Sequence, residues 1–195
     1  MTSAAQPESL LGTYPTLRAV HRFAHLVARM SWFHDIGDPM DETLRGKALD
    51  YASALGFPDV TPAVLVRWED AAAALETRDY NSPAWEAEEQ LRMALTADAA
   101  AVIPETALRA ALESVAAIAA EAADAGARDI ARFLQIGDPD FVRIATGAAV
   151  QACHQAALLL AAQGGAADHP FALKLRLFEQ GRWPLGIVGM SLNIF

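Results

Sequence analysis

The sequence predicts an all-α fold, a single-domain bundle of about eight helices, and three observations carry this prediction. The composition, 195 residues of which 53% are hydrophobic and 20% are charged, is that of a globular domain. Strand patterns are nearly absent before about the last fifteen residues. Dipeptides that favour a helix start, an N-cap residue followed by proline, recur at Asp38-Pro39, Thr61-Pro62, Ser82-Pro83 and Asp138-Pro139.

A seven-residue pattern occurs twice in the chain, at residues 33–39 and, one hundred residues later, at residues 133–139. Both copies read F-x-x-I-G-D-P. The glycine can adopt the left-handed conformation that ends a helix, the aspartate can cap the next helix, and the proline suits its first position. The pattern therefore predicts two helix-to-helix corners. It leaves open whether the chain is an internal duplication of a helix-turn-helix unit or repeats a good corner by chance.

The order of elements follows from these signals. Residues 1–13 are polar and predict a flexible N-terminal segment, residues 14–181 form the helical bundle, and residues 182–195 form an extended tail. Gly126 is expected to break the fifth helix and so to create a sixth. The predicted helices span roughly 15–35, 38–55, 61–78, 83–102, 104–125, 127–136, 138–164 and 168–180.

The tail follows Gly181 and contains two further glycines and a proline, a composition that is unsuited to a helix. Ile187 and Val188 could pair with residues 192–195 as a short hairpin around Gly189-Met190. Such an apolar segment should pack on its own helices or on a partner subunit. We expect Trp183, with its large amphipathic ring, to be an interface residue.

Charge and cysteine content limit the function classes. The net charge is −9, and residues 50–124 carry fourteen acids and four bases, a balance of −10. Such a chain repels nucleic acid and anionic membranes and favours a protein partner or a second copy of itself, hence a homo-oligomer. The lone Cys153 excludes an internal disulfide, and no basic segment followed by an apolar run opens the chain; both predict a cytoplasmic protein without a signal peptide. The apolar stretch 147–162 is shorter than a membrane span and predicts a core helix.

The first predicted helix carries a basic strip. Spacings of three and four place its members on one helical face, namely Arg18, His21, Arg22, His25 and Arg29. The strip could be a solvated surface, an internal electrostatic seam against the acidic middle of the chain, or a binding site for an acidic partner or an anionic ligand.

The residues His34-Asp35-Ile36-Gly37 spell HDIG. This resembles the metal-binding signature of the HD-domain phosphohydrolases, an all-helical family. The resemblance implies that His34 and Asp35 bind a divalent metal that activates water for phosphoester hydrolysis. It also implies a further upstream histidine, for which His21 and His25 are the candidates, and a later aspartate that the sequence does not single out. The second copy of the corner keeps I-G-D-P without the His-Asp pair, so turn geometry alone explains that part.

The sequence therefore predicts a non-enzymatic interaction or regulatory protein that self-associates and needs no cofactor. Its candidate binding residues are the basic strip and Trp183. The alternative is an HD-type metal-dependent phosphohydrolase that uses His34 and Asp35.

Overall fold

The computed structural model describes residues 12–77, 82–163 and 165–195, and these residues form seven helices and three strands. The prediction of a mostly helical chain is confirmed, whereas the count of about eight helices is wrong. Residues 1–11, Arg78 and Gly164, on which parts of the predictions fall, lie outside the described residues. The elements are α1 (Pro15–Val27), α2 (Glu42–Ala54), β1 (Thr61–Val64), α3 (Trp68–Glu76), α4 (Pro83–Val102), α5 (Glu105–Phe133), α6 (Phe141–Gln163), α7 (Pro170–Glu179), β2 (Pro184–Val188) and β3 (Ser191–Ile194).

Gly126 does not break a helix, because α5 runs through it without interruption. Its role is to allow a close approach between α5 and Trp32. A Cβ atom at this position would lie 2.8 Å from the Cβ of Trp32 and 2.9 Å from its carbonyl oxygen. The two helices predicted on either side of Gly126 are therefore one.

The helix predicted from Thr61 is wrong in its first part, where β1 forms instead. β1 pairs in parallel with β3, from Thr61 opposite Ser191 to Val64 opposite Ile194. The strand order is β1-β3-β2, so β1 lies at an edge of the sheet. Pro62 has no N–H to donate to a neighbouring strand, and an edge strand tolerates this because one of its sides is unpaired. The partner lies at the far end of the chain, so local sequence gave no signal for this strand.

The predicted hairpin in the tail is present. β2 and β3 are antiparallel, and Gly189 has the positive φ of 58° that two-residue hairpin loops favour. The backbones of Trp183 and Phe195 extend the pairing through two hydrogen bonds of 2.7 and 2.8 Å. Trp183, Leu192, Ile194 and Phe195 are buried, so the tail packs on its own chain.

Helix α6 is the centre of the bundle and packs against α1, α4, α5 and α7. Its stretch Phe141–Ala162 is long and apolar enough to cross a membrane by length and composition, and 56% of the most apolar window is buried inside the protein. That burial agrees with the predicted core helix. Small side chains on α6, among them Ala145, Ala149 and Ala152, are buried and let its neighbours approach closely.

Helix α7 separates two apolar clusters. Phe171, Leu175 and Phe178 face the main cluster around α6. Leu173 and Leu177 face a second cluster, formed with α2, Val60 of the segment before β1, and β3. A helix buried on two sides should be apolar over most of its circumference, which α7 is.

The first repeated corner differs from its prediction. α1 ends at Val27, well before the corner, and both Phe33 (φ 62°) and Gly37 (φ 80°) adopt the left-handed conformation. Asp38 does not cap α2. The N-cap is Asp41, whose Oδ1 accepts a hydrogen bond from the backbone N–H of Leu44 at 2.7 Å.

The second corner has another conformation. α5 ends at Phe133, three residues before the predicted end at 136, and the left-handed residue is Gln135 (φ 57°) and not Gly137. Asp138 Oδ1 accepts a hydrogen bond from the backbone N–H of Asp140 at 2.8 Å, and α6 begins one residue later. This corner joins two helices that pack on each other, whereas α1 packs on α5 and α6 and α2 packs on α7.

We expect the substitution Gly126→Ala to destabilise the protein by about 1–3 kcal/mol, because the new methyl group overlaps Trp32. Gly46→Ala is the matched control, since Gly46 also lies inside a helix but has no atom within 4 Å of the added Cβ. The Gly46→Ala variant should be as stable as the unchanged protein or more stable by up to about 1 kcal/mol. Urea denaturation measures both. Equal effects of the two substitutions would contradict the close approach at Trp32.

We expect the free energy of unfolding to fall as the pH drops below about 6.5, in part because of His169. Its Nδ1 accepts the hydrogen bond from the N–H of Phe171 at 3.1 Å that caps α7, and burial lowers its pKa although Asp168 opposes the shift. A lowered folded pKa makes stability greatest above the unfolded pKa and reduces it as pH falls, and protonation of Nδ1 removes the cap. The substitution His169→Asn keeps a capping oxygen and should reduce the loss of stability at low pH. Part of that loss should remain, because burial also lowers the pKa of His154. An unchanged pH dependence in denaturation experiments would contradict the role of His169.

Candidate functional site

Four of the five predicted members of the basic strip lie on the exposed side of α1, and Arg29 lies in the turn that follows its end at Val27. We call this surface the basic face of α1. The opposite side of the helix is buried and anchors it to α5 and α6 through Leu17, Val20, Phe23, Ala24 and Val27. The amphipathic pattern of the sequence therefore places the strip in solvent. The exposed members are Arg18, His21, Arg22, His25 and Arg29.

Arg22 and Arg29 belong to none of the ion pairs among the described residues. Most of the ion pairs join an arginine to a carboxylate three or four residues away on its own helix or at its end, as in Arg92–Glu89 and Arg128–Asp124. The rings of His21 and His25 contact each other edge to face, with centroids 4.8 Å apart. An internal seam between Arg22 or Arg29 and the acidic middle of the chain is therefore not formed.

The His34–Asp35 pair lies in the first corner, where His34 Nε2 is 3.4 Å from Asp35 Oδ2 and the two side chains are 45% and 44% exposed. The turn after α7 holds this corner in place. Gly181 accepts a hydrogen bond from the backbone N–H of Asp35 at 3.3 Å, and a Cβ at Gly181 would strike the His34 ring. The buried Arg182 donates to the carbonyl oxygens of Asp38 and Pro39 at 2.7 and 3.1 Å.

Within the described ranges, no group of three or more histidine, cysteine, aspartate or glutamate side chains is placed to hold a metal ion. The third ligand that the HDIG resemblance implies is therefore not supplied beside His34 and Asp35 by those residues. A site of this kind needs several protein ligands on one ion.

Trp183 does not lie on the surface, which corrects its expected role as an interface residue. Its side chain is 1% exposed. The ring stacks on Trp68 at a centroid distance of 6.0 Å and contacts Phe33 and Phe141. In this fold the aromatic ring joins the tail to the core and is not accessible to a partner.

A cavity of about 510 Å³ opens between α3 and α6 and was not expected from the sequence. Its walls include Ala72 and Leu75 on α3 and Ile144, Gly147 and Ala148 on α6. Residues of the tail and of α7 close its inner end. Charged and polar side chains complete the lining, namely Tyr51, Glu76, Glu88, Asp138, Asp140, Arg143, Gln151 and Lys174.

The floor of the cavity is a buried polar cluster centred on the carboxylate of Glu88. Lys174 Nζ donates to Oε1 and Oε2 of Glu88 at 2.8 and 2.7 Å. The hydroxyl of Tyr51 donates to Oε1, and Gln155 Nε2 donates to Oε2 at 3.1 Å. The carboxylate is thus held by α2, α6 and α7 at once, and we call these four side chains the Glu88 cluster.

The Glu88 cluster stabilises the ionised carboxylate. Burial opposes ionisation, but the charge of Lys174 and the hydrogen bonds from Lys174, Tyr51 and Gln155 outweigh it and lower the pKa of Glu88. The donation from Gln155 Nε2 leaves its Oε1 buried and without a hydrogen-bond partner. Glu88 is therefore an anion at neutral pH and a poor proton acceptor.

The second corner, residues 133–139, lies at the mouth of the cavity. Asp138 Oδ2 accepts a hydrogen bond from Trp68 Nε1 at 2.8 Å. The hydrogen bonds from the Asp140 backbone and from Trp68 lower the pKa of Asp138. Asp140 pairs with Arg143 at 3.0 Å. Glu76 is exposed at the end of α3 and belongs to no ion pair within the described part of the chain.

Sequence reasoning missed the Glu88 cluster. A glutamate in the first turns of a helix, as Glu88 is with its neighbours Glu86 and Glu89, is ordinarily explained by a favourable interaction with the helix N-terminus. The burial of Glu88 could have been suspected from the period of Ala84, Glu88 and Leu95, which face the same side of α4 and are all buried. The partner Lys174 could not have been found, since it lies on a helix remote in sequence.

Comparison of the chain with protein-family models, with curated proteins and with solved structures finds no match.

We expect Glu88→Leu to destabilise the protein by about 3–5 kcal/mol, because it leaves Lys174 as a buried, unpaired cation. The double variant Glu88→Leu, Lys174→Met should lose much less than the sum of the two single variants. The exposed pair Arg67–Asp70 is the control and should show a coupling below about 1 kcal/mol. Urea denaturation of each variant measures these energies. Additive effects at Glu88 and Lys174 would contradict the ion pair.

Proposed function

We propose that this chain is a non-enzymatic interaction protein that self-associates, with the basic face of α1 of one copy contacting acidic side chains of another. The observation that supports this proposal is the exposure of Arg22 and Arg29 without a carboxylate partner among the residues that the structure describes. Most of the paired arginines have their carboxylate on the same helix or at its end. An arginine left unpaired on a protein of net charge −9 is available for a contact between molecules.

The acidic surface that fits this face is on the chain itself. Residues 50–124 have a charge balance of −10. On α5, Glu105, Glu113 and Glu121 are exposed and belong to no ion pair among the described residues. In the proposed contact, α1 of one copy meets α5 of another.

The remaining parts of the proposal follow from charge and composition. The strongly acidic chain disfavours nucleic acid and anionic membrane as partners, and its single cysteine suits the cytoplasm. No resident cofactor is proposed. Nothing in the described residues favours the phosphohydrolase alternative, since His34 and Asp35 have no third ligand beside them.

We expect the double variant Arg22→Glu, Arg29→Glu to abolish self-association, because it reverses the charge of the basic face without touching the buried side of α1. Sedimentation velocity should show oligomers of the unchanged chain at about 50 mM salt and dissociation at about 0.5 M, where exposed charges are screened. The matched control is Arg67→Glu, Arg176→Glu, which gives the same net charge on exposed positions away from α1 and α5.

The two variants separate the basic face from net charge. Loss of assembly in the first variant alone supports the proposal, whereas equal loss in both assigns the effect to total charge. A chain that sediments as a monomer at low salt would reject self-association.

A further inference from the structure

The cavity between α3 and α6 is large enough for a small organic molecule. Its volume of about 510 Å³ lies within the range of small-molecule sites. Gly147 faces the cavity from the middle of α6, and a Cβ built at this position meets no atom within 4 Å. A glycine inside a helix costs about 1 kcal/mol relative to alanine, and no close contact with the protein requires it here.

The lining combines apolar walls with charged groups at its two ends. Ala72, Leu75, Ile144 and Ala148 are half-buried and form the walls. The charged side chains lie on the floor, in the Glu88 cluster, and at the mouth, where the second corner lies beside the start of α3 and Glu76 lies at its end. A wholly structural gap between helices would be expected to be apolar or filled, which this one is not.

The charges of the lining leave an excess of two carboxylates. Glu88 is compensated by Lys174, and Asp140 by Arg143. Glu76 has no cationic partner among the described residues, and Asp138 accepts hydrogen bonds from N–H groups of Asp140 and Trp68 and shares the charge of Arg143 with Asp140. The field inside the cavity is therefore negative at neutral pH.

We infer that this cavity is a binding site for a small organic cation, an amine with an apolar body. The ammonium group lies beside the carboxylate of Glu76 at the end of α3, and the body lies between the apolar residues of α3 and α6. The opposite orientation is disfavoured because Lys174 neutralises the carboxylate of Glu88 on the floor. An anionic ligand of the same shape meets the excess negative charge of the lining and binds more weakly. This inference does not depend on the basic face of α1 or on self-association.

Three probes that share an indole ring and differ in the charge of their terminal group test the charge preference of the cavity. Tryptamine carries a cation, tryptophol a neutral hydroxyl, and indole-3-propionate an anion. In isothermal titration calorimetry at low salt, tryptamine should bind about 5-fold more tightly than tryptophol, and indole-3-propionate should bind most weakly. Raising the salt should weaken tryptamine binding and leave tryptophol binding unchanged, because only the first depends on charge.

Two variants test the location. Glu76→Gln should bring the affinity for tryptamine towards that for tryptophol. Glu69→Gln is its control, since it removes the same charge from α3 at an exposed residue that does not line the cavity. Gly147→Leu should abolish binding of all three probes by placing a side chain in the cavity, and an unchanged circular-dichroism spectrum and melting temperature show that it is folded.

The inference is overturned if tryptamine shows no binding at about 5 mM, if the anionic probe binds as well as the cationic one, or if folded Gly147→Leu binds tryptamine normally. An equal loss of affinity in Glu76→Gln and Glu69→Gln also overturns it, because the effect would then come from total charge and not from the mouth of the cavity.

Discussion

The carboxylate of Glu88 is the constraint on which the arrangement of the helices depends. It lies in the interior on α4 and accepts hydrogen bonds from Tyr51 of α2, Gln155 of α6 and Lys174 of α7. A buried charge is tolerated only when it is paired and its oxygens are hydrogen-bonded. Four helices must therefore reach one point in register, and a shift of any of them leaves a buried polar group without its partner. Apolar packing alone is much less selective about register.

The cavity follows from this constraint together with the aromatic contacts of α3. Trp68, at the start of α3, stacks on Trp183 and donates to Asp138, so the beginning of α3 is fixed to the tail and to the second corner. α3 contacts β2 and β3. The rest of α3 runs beside α6 across the cavity, above the Glu88 cluster. The polar floor and the gap above it thus have separate causes, and the binding site that we infer lies where they meet.

The sequence was sufficient where a structure is decided locally and insufficient where a remote partner decides it. The buried side of α1 follows from the spacing of Leu17, Val20 and Val27, and the tail hairpin follows from Gly189-Met190 between apolar residues. β1 forms because β3 supplies hydrogen bonds from the other end of the chain. The pairing of Glu88 with Lys174 and the burial of Trp183 are likewise contacts between distant segments. For these, residue type was a misleading guide, since glutamates and a tryptophan beside Arg182 suggested surface positions.

The repeated corners show the same limit within one motif. Phe33 is fully buried and adopts a left-handed conformation, whereas its counterpart Phe133 ends a regular helix and is 80% exposed. Tertiary contacts select between these states: Gly37 lies against the carbonyl of Val66, and Arg182 binds the carbonyl groups of the first corner. The shared F-x-x-I-G-D-P pattern is therefore compatible with a chain reversal of two different backbone conformations, and the surrounding contacts select between them. The His34–Asp35 pair occupies the copy whose backbone is most tightly held by the rest of the protein, so rigidity of the corner accounts for its geometry without a bound metal.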